Sequence, residues 1–204
     1  SMQDLEIRGA GAVFGHKQSG HMSLVGFQMY CDLLSEEIKK KTNPDDINCA
    51  KPQVKTSLPS NIEEAYIDSM SSRVDFYYKI GTASTLESIE TIKRELVDVF
   101  GLIPPPTENL IAVAELKVLY KKTPFIYINH DNKKVELIAN GVEKTLLPGF
   151  LSKVGGFAHP QVINIKFKDK KDGRMGVDIN LLNAASAFDV LFSFERLFGF
   201  RNKD

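Results

Sequence analysis

Cysteine is scarce: only Cys31 and Cys49 occur in the 204 residues, and they form no C-x-x-C pair. That excludes a disulfide framework, argues against a structural zinc site and fits a reducing cytoplasm. No apolar run approaches the roughly 20 residues that span a bilayer. The chain opens without a basic segment followed by an apolar stretch, so a protein neither inserted nor secreted is expected. Net charge is lacking as well, because 26 Lys and Arg balance 26 Asp and Glu. No overall field then draws the chain to nucleic acid or to an anionic membrane.

Reaction motifs are equally sparse. There is no G-x-x-x-x-G-K-[ST] phosphate cradle and no G-x-S-x-G elbow around Ser19. His16 and His21 share a loop with no Cys or third His beside them, and His159 precedes a proline. His130 falls in an expected hairpin turn. None of these histidines has a neighbouring nucleophile, and three suitable ligands gather nowhere, so no metal or cofactor site is expected. Gly9-Ala-Gly11 looks like the start of a dinucleotide fingerprint but lacks the strand-to-helix context.

What is present is an ordinary globular composition, 43% hydrophobic and 25% charged, long enough for one main domain plus an appendage. Charge is unevenly placed. Residues 60–104 hold eight acids against four bases, whereas residues 105–177 hold twelve bases against seven acids.

Five glycines between Gly9 and Gly26 mark a loop, assigned to residues 1–22, and apolar residues at spacings of three and four from Ser23 predict a connecting helix over 23–41. The polar segment from Thr42 to Pro52, with two prolines, reads as a linker, drawn over 42–55. The main domain is then 56–204. Within it, a helix is expected over Asp68 to Ile80 with Val74, Tyr77 and Tyr78 inward, ending at Gly81. A second helix follows from a capping box at Ser84 and Glu87 and stops at Gly101. A third starts at Pro106, in the first turn where no amide donor is needed, and runs to Lys122.

Beyond Pro124 the period becomes two. Phe125–Ile128 and Val135–Ile138 flank a polar turn at Asn129–Asn132, Val162–Phe167 is another strand, and 174–177 is its short partner. Asp178 or Asn180 is then expected to cap a last helix from Leu181 to Leu197. Helices first and a small, mostly antiparallel sheet second make the fold class α+β.

One stretch carries a resemblance. Asp4-Leu-Glu-Ile-Arg-Gly-Ala-Gly11, followed by Gly15 and Gln18-Ser-Gly20, resembles the tail of the translocation motif shared by RecG and the bacterial transcription-repair coupling factors. Similarity to the coupling factors continues through Val25-Gly-Phe27, Tyr30, Tyr66-Ile67, Arg73, Phe76-Tyr77, Glu95-Leu96, Phe100-Gly101, Pro104, Pro106 and Ala114-Glu-Leu116, and reaches about residue 120. RecG has no such domain, so the resemblance is to the C-terminal part of the coupling-factor family. It implies that Arg8 and Gln18, with Gly9, Gly11 and Gly15 allowing rearrangement, couple nucleotide-driven lobe closure to duplex movement. An always-charged planar donor and a two-way amide suit such a relay. Ala12-Val-Phe14 and His16-Lys17 depart from the more polar, acidic filling expected in that loop.

The resemblance further implies a parent DNA translocase that uses ATP and magnesium, removes stalled RNA polymerase and recruits UvrA. Its C-terminal domain would pack on the parent's own UvrA-binding domain and repress it. For this chain a regulatory domain without ATPase motifs is therefore expected. Two other readings stand beside it: an accessory duplex-DNA-binding module using the basic region from Lys117 to Arg174, and a small enzyme with an unrecognised site.

Overall fold

The computed structural model describes residues 52–140, 147–170 and 174–198. The chain separates into two units, Ser1–Lys41 and Thr42–Asp204, and every described residue lies in the second. The loop over 1–22, with Arg8, Gln18, Gly9, Gly11 and Gly15, and the helix over 23–41 lie outside the described residues, as does most of the 42–55 segment.

The order is β1 (Gln53–Thr56), α1 (Met70–Thr82), α2 (Leu86–Phe100), α3 (Pro105–Leu119), β2 (Phe125–Asp131), β3 (Lys134–Ala139), α4 (Leu147–Gly155), β4 (Val162–Asp169), β5 (Met175–Leu181) and α5 (Ala187–Glu195). The strands form one sheet in the order β1-β2-β3-β5-β4. Every pairing is antiparallel except β1 with β2. The fold is α+β, as its pattern of periods predicts. Two elements lie outside that pattern. β1 takes residues 53–55 out of the proposed linker, because Val54 and Thr56 alternate inward opposite Ile128 and His130. α4 is short, and only Phe150 and Val154 are buried along it.

Helix boundaries moved where two registers were locally admissible. α1 buries Phe76 and Ile80, leaving Val74 and Tyr78 exposed. Tyr77 is half-buried and its hydroxyl accepts the Ile62 amide at 2.7 Å. Ser69 caps the helix through the Ser72 amide, and the helix passes Gly81 to end at Ala83. The cap of α2 is Thr85 with Ser88, one residue after the Ser84 and Glu87 pair. Thr85 Oγ1 accepts the Ser88 amide at 3.1 Å and Ser88 Oγ accepts the Thr85 amide at 3.4 Å. That register points Ile89, Ile92 and Leu96 inward. Gly101 ends the helix with φ 81° and ψ −153°, a conformation open to glycine almost alone. α3 starts at Pro105, one residue early, and buries Thr107, Leu110, Ile111, Val113, Ala114 and Leu116. These are not confined to one stripe, because the helix packs against α1 and α2 as well as β1 and α5.

The hairpin is longer than its polar tract suggested. β2 runs through Asn129, His130 and Asp131, and the turn narrows to Asn132 and Lys133, with Asn132 at φ 51°. Asparagine tolerates that left-handed conformation. β5 extends to Leu181, so Asp178 and Asn180 are strand residues rather than helix caps. The turn into α5 is capped by Asn183, whose Oδ1 accepts the Ala185 amide at 3.1 Å. One core joins the helices to the inner sheet face: Val135, Leu137, Val177, Ile179 and Leu181 meet Tyr120, Phe188, Leu191 and Phe194. Phe125 sits at its aromatic centre, 5.8 Å from both Phe150 and Phe194 and 5.3 Å from Phe198. Tyr120 is fully buried and donates its hydroxyl to Leu191 O at 2.8 Å. Burial, then the Glu195 charge, pushes its pKa well above the ordinary value.

Candidate docking surface

α2 turns its isoleucines and Leu96 to the core, and its last turn leaves apolar residues exposed. Val97 and Val99 are exposed beside Asp98, and Leu102 in the following loop is 90% exposed. The loop is not loose. The Tyr66 hydroxyl donates to Leu96 O at 3.3 Å and to Gly101 O at 3.2 Å, and Tyr66 and Phe76 both pack edge-on against Phe100. Arg73 donates to Ile67 O at 2.6 Å and to Asp68 O at 3.0 Å, holding the entry to α1 against the same layer. Lys79 pairs with Glu95 at 2.5 Å, and the exposed Asp98 lies between Val97 and Val99 in sequence. Apolar residues exposed beside an acid on a fixed helix end and loop suit recognition of a protein surface, since they lose little freedom on binding.

A reactive centre finds less support. An open groove of about 510 Å³ lies between α2, α3 and α5, lined by Leu86, Glu90, Glu115, Leu119, Asp189, Phe192, Ser193 and Arg196. At its edge Lys93 Nζ bridges Glu115 at 2.5 Å and Glu90 at 3.1 Å. Burial lowers the Lys93 pKa, but the two carboxylates outweigh it and the net shift is upward. No histidine lines the groove to activate Ser193. Among the described residues no three His, Cys, Asp or Glu side chains could hold a metal ion, and no helix is long and apolar enough to cross a membrane.

His130 and Asp178, misplaced from sequence, have structural tasks. His130 is 1% exposed. Its Nδ1 lies 2.9 Å from Thr56 Oγ1 and its Nε2 2.5 Å from Asn132 O. Burial depresses its pKa, more than Asn132 O and Asp131 raise it. Asp178 lies on the outer sheet face, where Lys168 at 2.5 Å and Lys134 at 3.0 Å close over Oδ2, and Lys170 reaches Glu136 at 2.7 Å. Burial alone would raise the Asp178 pKa, but the two ammonium groups hold it below the ordinary carboxylate value. His159 stacks on Phe157 and accepts the Gln161 amide through Nδ1 at 3.2 Å. These displaced groups sit on different elements and form no joint site.

A family model, the TRCF domain, matches residues 56–147, from the end of β1 to the start of α4. Over these residues the chain carries the TRCF domain of the transcription-repair coupling factors. It is 36% identical over 119 residues to the coupling factor of Escherichia coli, covering 56% of this chain and 10% of that protein. The Buchnera aphidicola (subsp. Acyrthosiphon pisum) protein is 36% identical over 137 residues, 65% of this chain and 17% of its own length. For Bacillus subtilis the figures are 32% over 138 residues, 67% of this chain and 12% of the relative. This chain thus spans a small fraction of the coupling factors it matches. A crystal structure of the C-terminal domain of transcription-repair coupling factor shares the fold, with a TM-score of 0.62 over 73% of this chain and 92% of that one, at 16% identity. The exposed end of α2 carries none of the residues that the sequence marks as a candidate site. Val99 lies seven residues after Ile92 and three after Leu96, on the row whose spacing predicts burial, and the structure exposes it instead; Val97 and Leu102 fall off that row.

Proposed function

We propose that this chain supplies the regulatory C-terminal domain of a coupling-factor DNA translocase. It docks reversibly on the parent's own N-terminal UvrA-binding domain and holds the protein repressed until the parent engages RNA polymerase. The observation that supports this most is the rigid apolar and acidic end of α2, formed by Val97, Asp98, Val99 and Leu102. It offers an interface and no reaction chemistry, as a separable inhibitory domain requires. On this reading the fragment hydrolyses no ATP, and nucleotide and magnesium belong to the parent. Arg8, Gln18, Gly9, Gly11 and Gly15 would serve the coupling of its motor to duplex DNA.

Docking is then a two-state equilibrium, and whatever releases the domain raises UvrA affinity by the same coupling energy, about 1–3 kcal/mol or roughly 5–150-fold. Truncating the parent before residue 53 should reproduce that gain, and Asp98→Lys with Val99→Asp in the intact parent should do so without removing the domain. Unchanged UvrA affinity in both, with all domains folded, would reduce this domain to a passive appendage. The duplex-binding reading has less support, because Lys134, Lys168 and Lys170 of the basic region are already paired with Asp178 and Glu136.

A further inference from the structure

The sheet ends at β4, which pairs with β5 on one side and with no other strand among the described residues on the other. The opposite edge, β1, is four residues long, whereas β4 runs for eight. Eight strand residues present about 27 Å of backbone with an unpaired row of amides and carbonyls. The side chains of β4 are exposed at most positions, including Ile163 at 58% and Phe167 at 40%. Register sorts them into two rows. Asn164, Lys166 and Lys168 lie opposite Asn180, Asp178 and Gly176 on the outer face. Ile165 and Phe167 lie opposite Ile179 and Val177, on the face that packs against the helices. Lys166 is exposed and lies outside the ion pairs centred on Asp178 and Glu136.

We propose that the outer edge of β4 is a docking site for an extended protein segment of alternating acidic and apolar residues, which adds a sixth strand to the sheet. A carboxylate of the segment lies against Lys166, which is outside the ion pairs, while Lys168 stays with Asp178. The segment's apolar side chains continue the row of Ile165 and Phe167. Main-chain hydrogen bonds supply affinity in this mode of recognition, and the alternate side chains supply specificity. Three features converge on it: a backbone edge unpaired among the described residues, the partly exposed row of Ile165 and Phe167, and the Lys166 ammonium. A second copy of this chain is a poor occupant, because antiparallel β4-to-β4 pairing brings the two lysine rows together, and like charges directly opposite are destabilising. A nucleic acid would use the lysines but leave the apolar row and the backbone edge unsatisfied. The patch at the end of α2 carries the opposite charge, so the two surfaces take different partners and fail or succeed independently.

The test uses the whole 204-residue chain, isotopically labelled, with three probes: an acetylated nine-residue peptide alternating Glu and Val, its Lys and Val counterpart, and a short DNA duplex. The Glu–Val peptide is expected to perturb the amides of β4 saturably and to slow their hydrogen exchange. Lys166→Glu turns one favourable cross-strand charge pair into a repulsive one and is expected to weaken binding at least about five-fold. Phe167→Ser should weaken it too, and Asp98→Lys on α2 should leave it unchanged, each variant first shown folded by its spectrum. No saturable change up to millimolar peptide would overturn the proposal. So would perturbations centred away from β4, equal affinity for the Lys–Val peptide, or DNA binding at β4 without peptide binding. If Lys166→Glu changes only self-association, the lysines serve merely to keep the edge from pairing with itself, and the proposal fails.

Discussion

Replacing His130 by phenylalanine should loosen the first strand of the sheet and remove a specific pH dependence. Asn132 O can only accept, so Nε2 carries a proton, and burial favours the neutral ring. That leaves Nδ1 to accept from the Thr56 hydroxyl at 2.9 Å, while Thr56 Oγ1 accepts the Leu58 amide at 3.1 Å. The imidazole is then neutral, with its proton on Nε2 donated to Asn132 O. Ser57 completes the clasp: its amide donates to His130 O at 2.9 Å and its hydroxyl accepts the Asn132 amide at 3.0 Å. Phenylalanine conserves most of the ring volume but strips a partner from both Thr56 and Asn132. A fully buried group left unsatisfied costs about 1–3 kcal/mol. Thr56 is half-buried and Asn132 exposed, so water replaces part of what each loses and a total of about 1–2 kcal/mol is expected.

The sign of the pH effect follows from the depressed pKa of His130, which lies below 6.5 in the fold. The unfolded chain takes up the proton first. Stability is therefore whole above pH 6.5 and falls as pH drops from there towards the folded pKa, by at most about 1.4 kcal/mol per pH unit. The chain has no tryptophan, so urea unfolding is best followed by circular dichroism at intervals from pH 5 to 8. The variant should lose both the stability and the slope contributed by His130. A cost below about 0.5 kcal/mol, or an identical slope in wild type and variant, would refute the neutral clasp.

Gly101→Ala should cost about 1–3 kcal/mol from backbone strain alone, since an added Cβ meets nothing within 4 Å; thermal unfolding would measure it, and a neutral result would show that the loop relaxes. Phe194→Ala removes a fully buried ring beside Phe125, Phe157 and Phe198 and should cost about 3–5 kcal/mol in urea unfolding. Asp178→Ala should flatten the acid limb of the stability curve, because a carboxylate held below its ordinary pKa contributes stability above that value and loses it as pH falls through the folded pKa. With both lysine partners nearly half exposed, about 1 kcal/mol at neutral pH is expected.

Period and punctuation settled the class and most elements of this protein from sequence alone. The apolar spacing of α2 and its stop at Gly101, the proline at the start of α3 and the alternation of β2 and β3 are local properties, written in residues that interact within a few positions of one another. The resemblance of residues from Tyr66 to Leu116 to the coupling factors was legible in the same way. What the tertiary structure decided concerns choices that local chemistry leaves nearly equal in energy. Thr85 rather than Ser84 caps α2, with Ser88 Oγ returning to the Thr85 amide. Asp178 and Asn180 could open a helix as well as sit in a strand, and pairing of β5 with both β3 and β4 chose the strand. β1 is too short to declare itself and exists because Val54 and Thr56 find Ile128 and His130 some 74 residues away. The surfaces proposed for partners belong to the same category. A valine on a helix or a lysine on a strand has no face until the core has taken the other one.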